Sequence, residues 1–157
     1  MFRKPSITQG ALGALLALIF TCTAQAGGSG LVRMKSHYNF EQTIGRFQDA
    51  VRAAGMTVFA RIDHHKGAAS AGLEMKPVSV LIFGNPKVGT QLMQSAPSAG
   101  IDLPMKVVVI EQAPGEIELI YNDPAWLAQR HGIEDRKKLV KKMQQTLSSF
   151  AEAATGQ

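Results

Sequence analysis

The chain has 157 residues, with 17 Lys+Arg against 12 Asp+Glu, a formal charge of +5 and one cysteine. That length accommodates one domain with its own core, and the basic excess falls well short of a nucleic-acid footprint. With Cys22 alone, an internal disulfide and a thiolate metal cluster are excluded.

The N-terminus reads as an export signal. Arg3 and Lys4 are followed by an apolar run, Ala11 to Phe20, broken by Gly13, and then by Ala24-Gln25-Ala26. This is the charged, apolar, small-residue order that a signal peptidase accepts. The run is too short for a mature membrane helix, which needs ~20 residues. An uncleaved anchor is the alternative. A lipoprotein acylated at Cys22 fits poorly, because Ile19-Phe20-Thr21 is a weak approach to it. Cleavage after Ala26 is therefore expected, giving a periplasmic or secreted, cysteine-free domain with no stable membrane insertion.

Gly27 to Gly30 reads as a flexible leader, and the domain proper as 31–154. Leu31 to Tyr38 alternates loosely as a strand. Asn39 and Gln42 form a capping-box pair opening a helix. Along it Phe40, Thr43, Ile44, Phe47, Val51 and Ala54 recur at helical spacing until Gly55. Met56 to Ile62 alternates as a second strand, and His64 to Ala71 is a short helix of small residues. Val78 to Phe83 is apolar throughout, a strand at the sheet centre or covered on both faces. Lys87 to Gln94 predicts one to two helical turns, then a loop to Pro104. Met105 to Glu111 and Ile117 to Tyr121 form a hairpin. Pro124 opens a short helix. Asp135 to Ala154 is the last helix, with Leu139, Val140, Met143, Leu147 and Phe150 inward and Lys137, Lys138, Lys141 and Lys142 outward, a solvated face rather than a membrane-binding one. The order is strand, helix, four strands, helix. It predicts an α+β fold, an antiparallel sheet with helices packed on one face and two short inserted helices.

Four strings occur in order between about Ser36 and Ile133: RIDHHKGAASAGLEMKP, LIFGNPKVGTQLM, GIDLPMKVVV and IYNDPAWLAQRHGI. Together they resemble the bacterial and archaeal family called domain of unknown function 302. The resemblance implies an arrangement similar to TATA-binding-protein-like folds, commonly paired as dimers, and implies no activity. Within the first string it carries His64 and leaves His65 as an addition.

Asp63 and His64 stand where a strand becomes a helix. A histidine beside a carboxylate suits a general base or a metal ligand, with Asp63 fixing the tautomer; otherwise Asp63 caps the helix and His64 bonds backbone. Gly84-Asn85-Pro86-Lys87 leaves a strand for a helix N-terminus, a plausible anion cradle with Lys87 adding charge and Asn85 and Thr90 as polar contacts. It lacks the spacing of a nucleotide phosphate loop, and as a tight turn it would need Gly and Pro for geometry alone. Asp102, before Leu103-Pro104, would close a pocket opposite His64, or else pair with a lysine. Met93 with His64 suggests copper(I) or haem, although scattered methionine usually fills cores. Trp126 reads as a buried anchor and His131 as structural, at a helix end that favours cations.

Three functions follow. The first is a dimeric domain binding or sensing a small molecule through Asp63, His64, Asn85, Lys87, Thr90 and Asp102, with no cofactor. The second is a copper- or haem-handling protein using His64 and Met93. The third is a hydrolase or lyase with His64 as base, for which Ser70, Ser79 and Thr90 are the available nucleophiles. The first requires the turns after Ile62 and Phe83 to meet at one end of the sheet.

Overall fold

A computed structural model describes residues 28–157; the expected export signal, its cleavage point after Ala26, and Gly27 lie outside them. The elements are β1 (Leu31–Ser36), α1 (Phe40–Ala53), β2 (Thr57–Asp63), α2 (His64–Ser70), β3 (Val78–Gly84), α3 (Pro86–Ser95), a 3-10 turn (Pro97–Ile101), β4 (Met105–Ala113), β5 (Glu116–Asn122), α4 (Pro124–Arg130) and α5 (Lys137–Thr155). The strands form one five-stranded sheet in the order β1-β5-β4-β3-β2, antiparallel at every pairing. This is the α+β architecture anticipated.

Local chemistry explains where the helices begin. At α1 both halves of the capping box form: Gln42 N–H donates to Asn39 Oδ1 at 2.9 Å, and Asn39 N–H to Gln42 Oε1 at 3.3 Å. Pro86 and Pro124 open α3 and α4, with Asn85 and Asp123 capping from the preceding position. α1 buries Phe40, Thr43, Ile44, Phe47 and Val51, and α5 buries Val140, Leu147, Phe150, Ala151 and Ala154. Both lie against the sheet face that carries Leu81, Phe83, Val107, Val109, Leu119 and Tyr121. Phe47 ties α1 to the sheet and to α5, edge-on to Phe83 at 5.2 Å and to Phe150 at 6.0 Å. Such aromatic pairs contribute about 0.5–1.5 kcal/mol each beyond burial.

Several details differ from expectation. β3 is not the middle strand: it lies between β2 and β4, and β4 is central. Its run is apolar throughout because Leu81 and Phe83 enter the core, while Val80 and Ile82 face the other side with Val108 and Ile120, outside that core cluster. α3 is longer than one to two turns, and the expected loop after it contains the 3-10 turn. A register shift between Val58 and Ala60 pushes Phe59 out of the ladder, 51% exposed. Gly30, at the end of the leader, is held: its φ is 70°, and its carbonyl accepts from Asp123 N–H at 2.7 Å.

Candidate functional site

At the end of the sheet where β2 begins and β3 finishes, α3 and α5 stand apart over the helix-covered face. Between them lies a cavity of about 480 Å³, within the usual range for small-molecule sites. Phe83 and Met105 form its floor, Leu139, Met143, Leu147 and Phe150 of α5 one wall, and Leu103 and Pro104 another. Phe59, displaced by the bulge, lies at the rim beside Gly84. Four methionines line it, Met56, Met93, Met105 and Met143, each delivered by a different part of the chain. Thioether side chains are flexible and polarizable, so such a wall adapts to ligands of varied shape.

The polar lining is Asn85, Lys87, Thr90, Gln91, Lys142 and Thr146, with no carboxylate among the lining residues. Lys87 and Lys142 are solvent-exposed and make no ion pair among the described residues. The result is an apolar interior with an uncompensated cationic rim.

Of the residues singled out in the sequence, Asn85, Lys87, Thr90 and Met93 meet in this cavity. The anion cradle does not form. Lys87 N–H donates to Asn85 Oδ1 at 2.9 Å, and the N–H groups of Val88 and Gly89 donate to the Asn85 carbonyl at 2.9 and 3.0 Å. Asn85 thus uses up the donors an anion would need. Pro86 has no N–H to offer.

Asp63 and His64 are elsewhere. Thr57 pairs with Gly84 but Asp63 pairs with Ser79, so β3 separates the turn after β2 from Asn85 by roughly 17 Å at ~3.3 Å per residue. The pocket expected to join His64 to Asn85 does not exist, because neighbouring antiparallel strands end at opposite edges. The carboxylate of Asp63 meets Arg61 at 2.7 Å, Lys66 at 2.6 Å and the Ser79 hydroxyl. Hydrogen bonds from Lys66 first, then Ser79 and Arg61, hold it well below the usual carboxylate range. Arg61 also forks onto Glu41 of α1 at 2.7 and 2.8 Å, which raises the guanidinium and lowers Glu41. The cluster joins β2, β3, α1 and α2 and leaves no Asp63 oxygen directed at His64. Asp63 holds the N-cap position of α2 without a side-chain capping bond. His64 is exposed. His65 is the anchored histidine, with Nδ1 3.1 Å from the Val78 carbonyl and its ring edge-on to Phe40 at 5.8 Å.

Asp102 lies behind the cavity wall rather than in it. It accepts from His131 Nε2 at 2.6 Å and from Arg130 at 3.3 Å, while the two residues after it, Leu103 and Pro104, face the cavity. His64 and Met93, expected to share a copper or haem, stand at opposite ends of β3, so they do not form a ligand pair. Among the described residues no group of three or more His, Cys, Asp or Glu is placed to hold a metal ion.

Sequence reasoning missed Met56, Phe59, Met105 and Lys142 as cavity residues. Leu139 and Met143 were visible as inward positions of the final helix, and they pack against the core while also lining the cavity. That double role has no signature in helical spacing.

Comparison with known proteins gives three findings. The family described as "Domain of unknown function DUF302" matches residues 32–153. The chain is similar to part of the "Fluoride-specific ion channel FluC 1" of Brucella suis biovar 1 (strain 1330), 46% identical over 105 residues, covering 67% of this chain and 41% of that protein. It is equally similar to the "Fluoride-specific ion channel FluC 2" of Brucella melitensis biotype 1, 46% identical over 105 residues and 39% of that protein. The chain thus spans about two fifths of the length of these curated relatives. Among solved structures, the crystal structure of an uncharacterized conserved protein DUF302 from Bacillus stearothermophilus superposes with a TM-score of 0.73 at 18% identity, covering 81% of this chain and 99% of that one. At that identity the likeness establishes the fold alone.

Proposed function

The chain belongs to the DUF302 family, and from that premise we propose that it is an exported binding domain whose ligand is a small molecule with an apolar body and an anionic head. The observation that carries the reading is the cavity between α3 and α5. Its interior is aliphatic, aromatic and thioether, and its two rim cations, Lys87 and Lys142, face no carboxylate among the residues lining it. Burying about ten methylenes contributes about 8 kcal/mol at ~0.8 kcal/mol each, and association costs at least ~4 kcal/mol. The rim lysines add about 0.5–1 kcal/mol apiece at exposed positions. The remainder, about 5–6 kcal/mol, corresponds to dissociation constants of roughly 40–200 μM for a simple chain anion, tighter where the shape fits.

The test uses the mature chain and 8-anilinonaphthalene-1-sulfonate, an apolar ring system bearing an anion. Its fluorescence should rise on binding, and dodecanoate and dodecanol should both displace it. Lys87→Gln with Lys142→Gln should weaken dodecanoate several-fold while leaving dodecanol nearly unchanged. If neither competitor displaces the dye, the reading fails.

The names of the Brucella relatives concern ion conduction. For this chain, which spans about two fifths of those relatives, we propose ligand binding instead, on the strength of the cavity. Pairing of two copies is part of the proposal, through the sheet face bearing Ile62, Val80, Ile82, Val108 and Ile120. Ile62 is 44% exposed there and Ile82 and Val108 are half-buried, beside the buried Val80 and Ile120; apolar side chains left open on a sheet face commonly mark an interaction surface. Ile82→Lys should turn a dimer into a monomer in analytical ultracentrifugation; a wild-type protein that sediments as a monomer removes this element.

A further inference from the structure

Away from the cavity lining, three side chains form a continuous hydrogen-bonded chain. Ser98 Oγ lies 2.9 Å from His131 Nδ1, and His131 Nε2 lies 2.6 Å from Asp102 Oδ2. Ser98 is exposed, whereas the side chains of His131 and Asp102 are only 6% and 12% exposed. We propose that this is a nucleophilic relay, with Ser98 taking the acyl group of a small ester presented from solvent.

The direction of the relay follows from the hydrogen-bond inventory. An aspartate accepts on both oxygens, and here one faces His131 Nε2 while the other accepts a hydrogen bond from Arg130 at 3.3 Å. A neutral imidazole has one donor and one acceptor nitrogen. Asp102 therefore fixes the proton on Nε2, and Nδ1 is left as an acceptor. Its partner is the Ser98 hydroxyl, which must donate. That is the arrangement of an activated serine, with the base oriented by a carboxylate. The fold makes the geometry stiff: Ser98 lies in the 3-10 turn and Asp102 is its C-terminal cap, so one short turn grips both ring nitrogens of the histidine that ends α4.

The chemistry is ordinary acyl transfer. Ser98 Oγ bonds to the ester carbonyl carbon as its proton passes to His131 Nδ1. The resulting imidazolium is stabilised by Asp102. Collapse of the tetrahedral adduct breaks the bond to the alkoxide, which leaves with the proton from His131. Water then attacks the acyl group, giving its proton to His131, and the carboxylic acid departs as Ser98 is reprotonated. Ser98 and His131 are the catalytic residues, and Asp102 is a positioning residue. With Ser98 outside the lining of the cavity, the substrate class is a short, water-accessible ester, and the relay stands or falls independently of what the cavity binds.

The mature protein is treated with an alkyl fluorophosphonate, whose phosphorus is attacked by an activated serine with loss of fluoride. One phosphonyl group per chain should appear, mapped to Ser98 by peptide mass, at a rate that climbs with pH. Ser98→Ala, an exposed change, should abolish the label. Asp102→Asn, which lets the wrong nitrogen carry the proton, and His131→Gln should each slow it at least tenfold. Thermal melts of both variants separate loss of the relay from loss of the fold, and the wild-type pH profile decides the matter if either unfolds. No label on Ser98, or labelling that neither pH nor these variants change, overturns the proposal and leaves the three residues as a clamp between the 3-10 turn and α4.

Discussion

Filling the cavity from Gly89 separates a binding site from a packing defect. Gly89 lies within α3 and lines the cavity, and a Cβ added there meets nothing nearer than Leu103 Cδ1 at 3.8 Å. Gly89→Leu therefore introduces no backbone strain and no clash at its first carbon. Replacing an interior helical glycine contributes about 0.5–1 kcal/mol, and partial burial of the isobutyl group adds about another 1 kcal/mol. The variant should be more stable by about 1–2 kcal/mol, raising Tm by several degrees, at ~4 °C per kcal/mol for a domain of this size. The leucine also occupies space the ligand needs, so dodecanoate affinity should fall at least tenfold, or ~1.4 kcal/mol. Urea unfolding followed by the fluorescence of Trp126, the single tryptophan, gives the first quantity, and dye displacement gives the second. A stabilised variant that binds dodecanoate like the wild type would place the ligand elsewhere. A destabilised one would show that the space beside Gly89 is not open.

Four other changes probe the scaffold. Gly30→Ala combines a φ of 70° with a Cβ 2.2 Å from Trp126 Cγ; it should cost about 2–4 kcal/mol and shift the tryptophan emission, and an unshifted spectrum would refute the close packing. Phe47→Ala, at 0% exposure between Phe83 and Phe150, should cost about 3–5 kcal/mol in urea unfolding. Asp63 has a folded pKa depressed below its unfolded value of ~3.9. Its contribution is therefore present above pH ~4 and is lost as pH falls further, so Asp63→Asn should flatten the acid limb of stability against pH, with a loss at neutral pH of about 1–3 kcal/mol. Asn85→Ala removes the α3 cap and should cost about 1 kcal/mol, while a ligand-induced melting shift persists, because the cap does not point its bonded oxygen at the cavity.

The elements were legible because each is signalled within a few residues: Asn39 with Gln42, Pro124 after Asp123, alternation from Met105 onward. The site required contacts between segments, and there the reading divided. Asn85, Lys87, Thr90 and Met93 share one turn and one helix, so sequence proximity carried them into the same cavity. Asp63 and His64 were joined to them by assumption, against a consequence of the predicted sheet itself. If β2 and β3 are antiparallel neighbours, their C-terminal ends lie at opposite edges, which by itself excludes a pocket between His64 and Asn85. Nothing comparable was available for the methionines, which come from the start of β2, from α3, from the start of β4 and from α5. Their convergence depends on how α3 and α5 pack over the sheet, which no single segment of sequence specifies. Ser98 lies in a stretch without helical or strand periodicity, and His131 sits at a helix end, a position any basic residue fills. Only the 3-10 turn, which brings Ser98 and Asp102 to either side of one imidazole, turns three unremarkable residues into a relay. Chemistry built within one element can be read from sequence, whereas chemistry built by two nitrogens of a ring meeting opposite ends of a turn becomes visible once the turn is drawn.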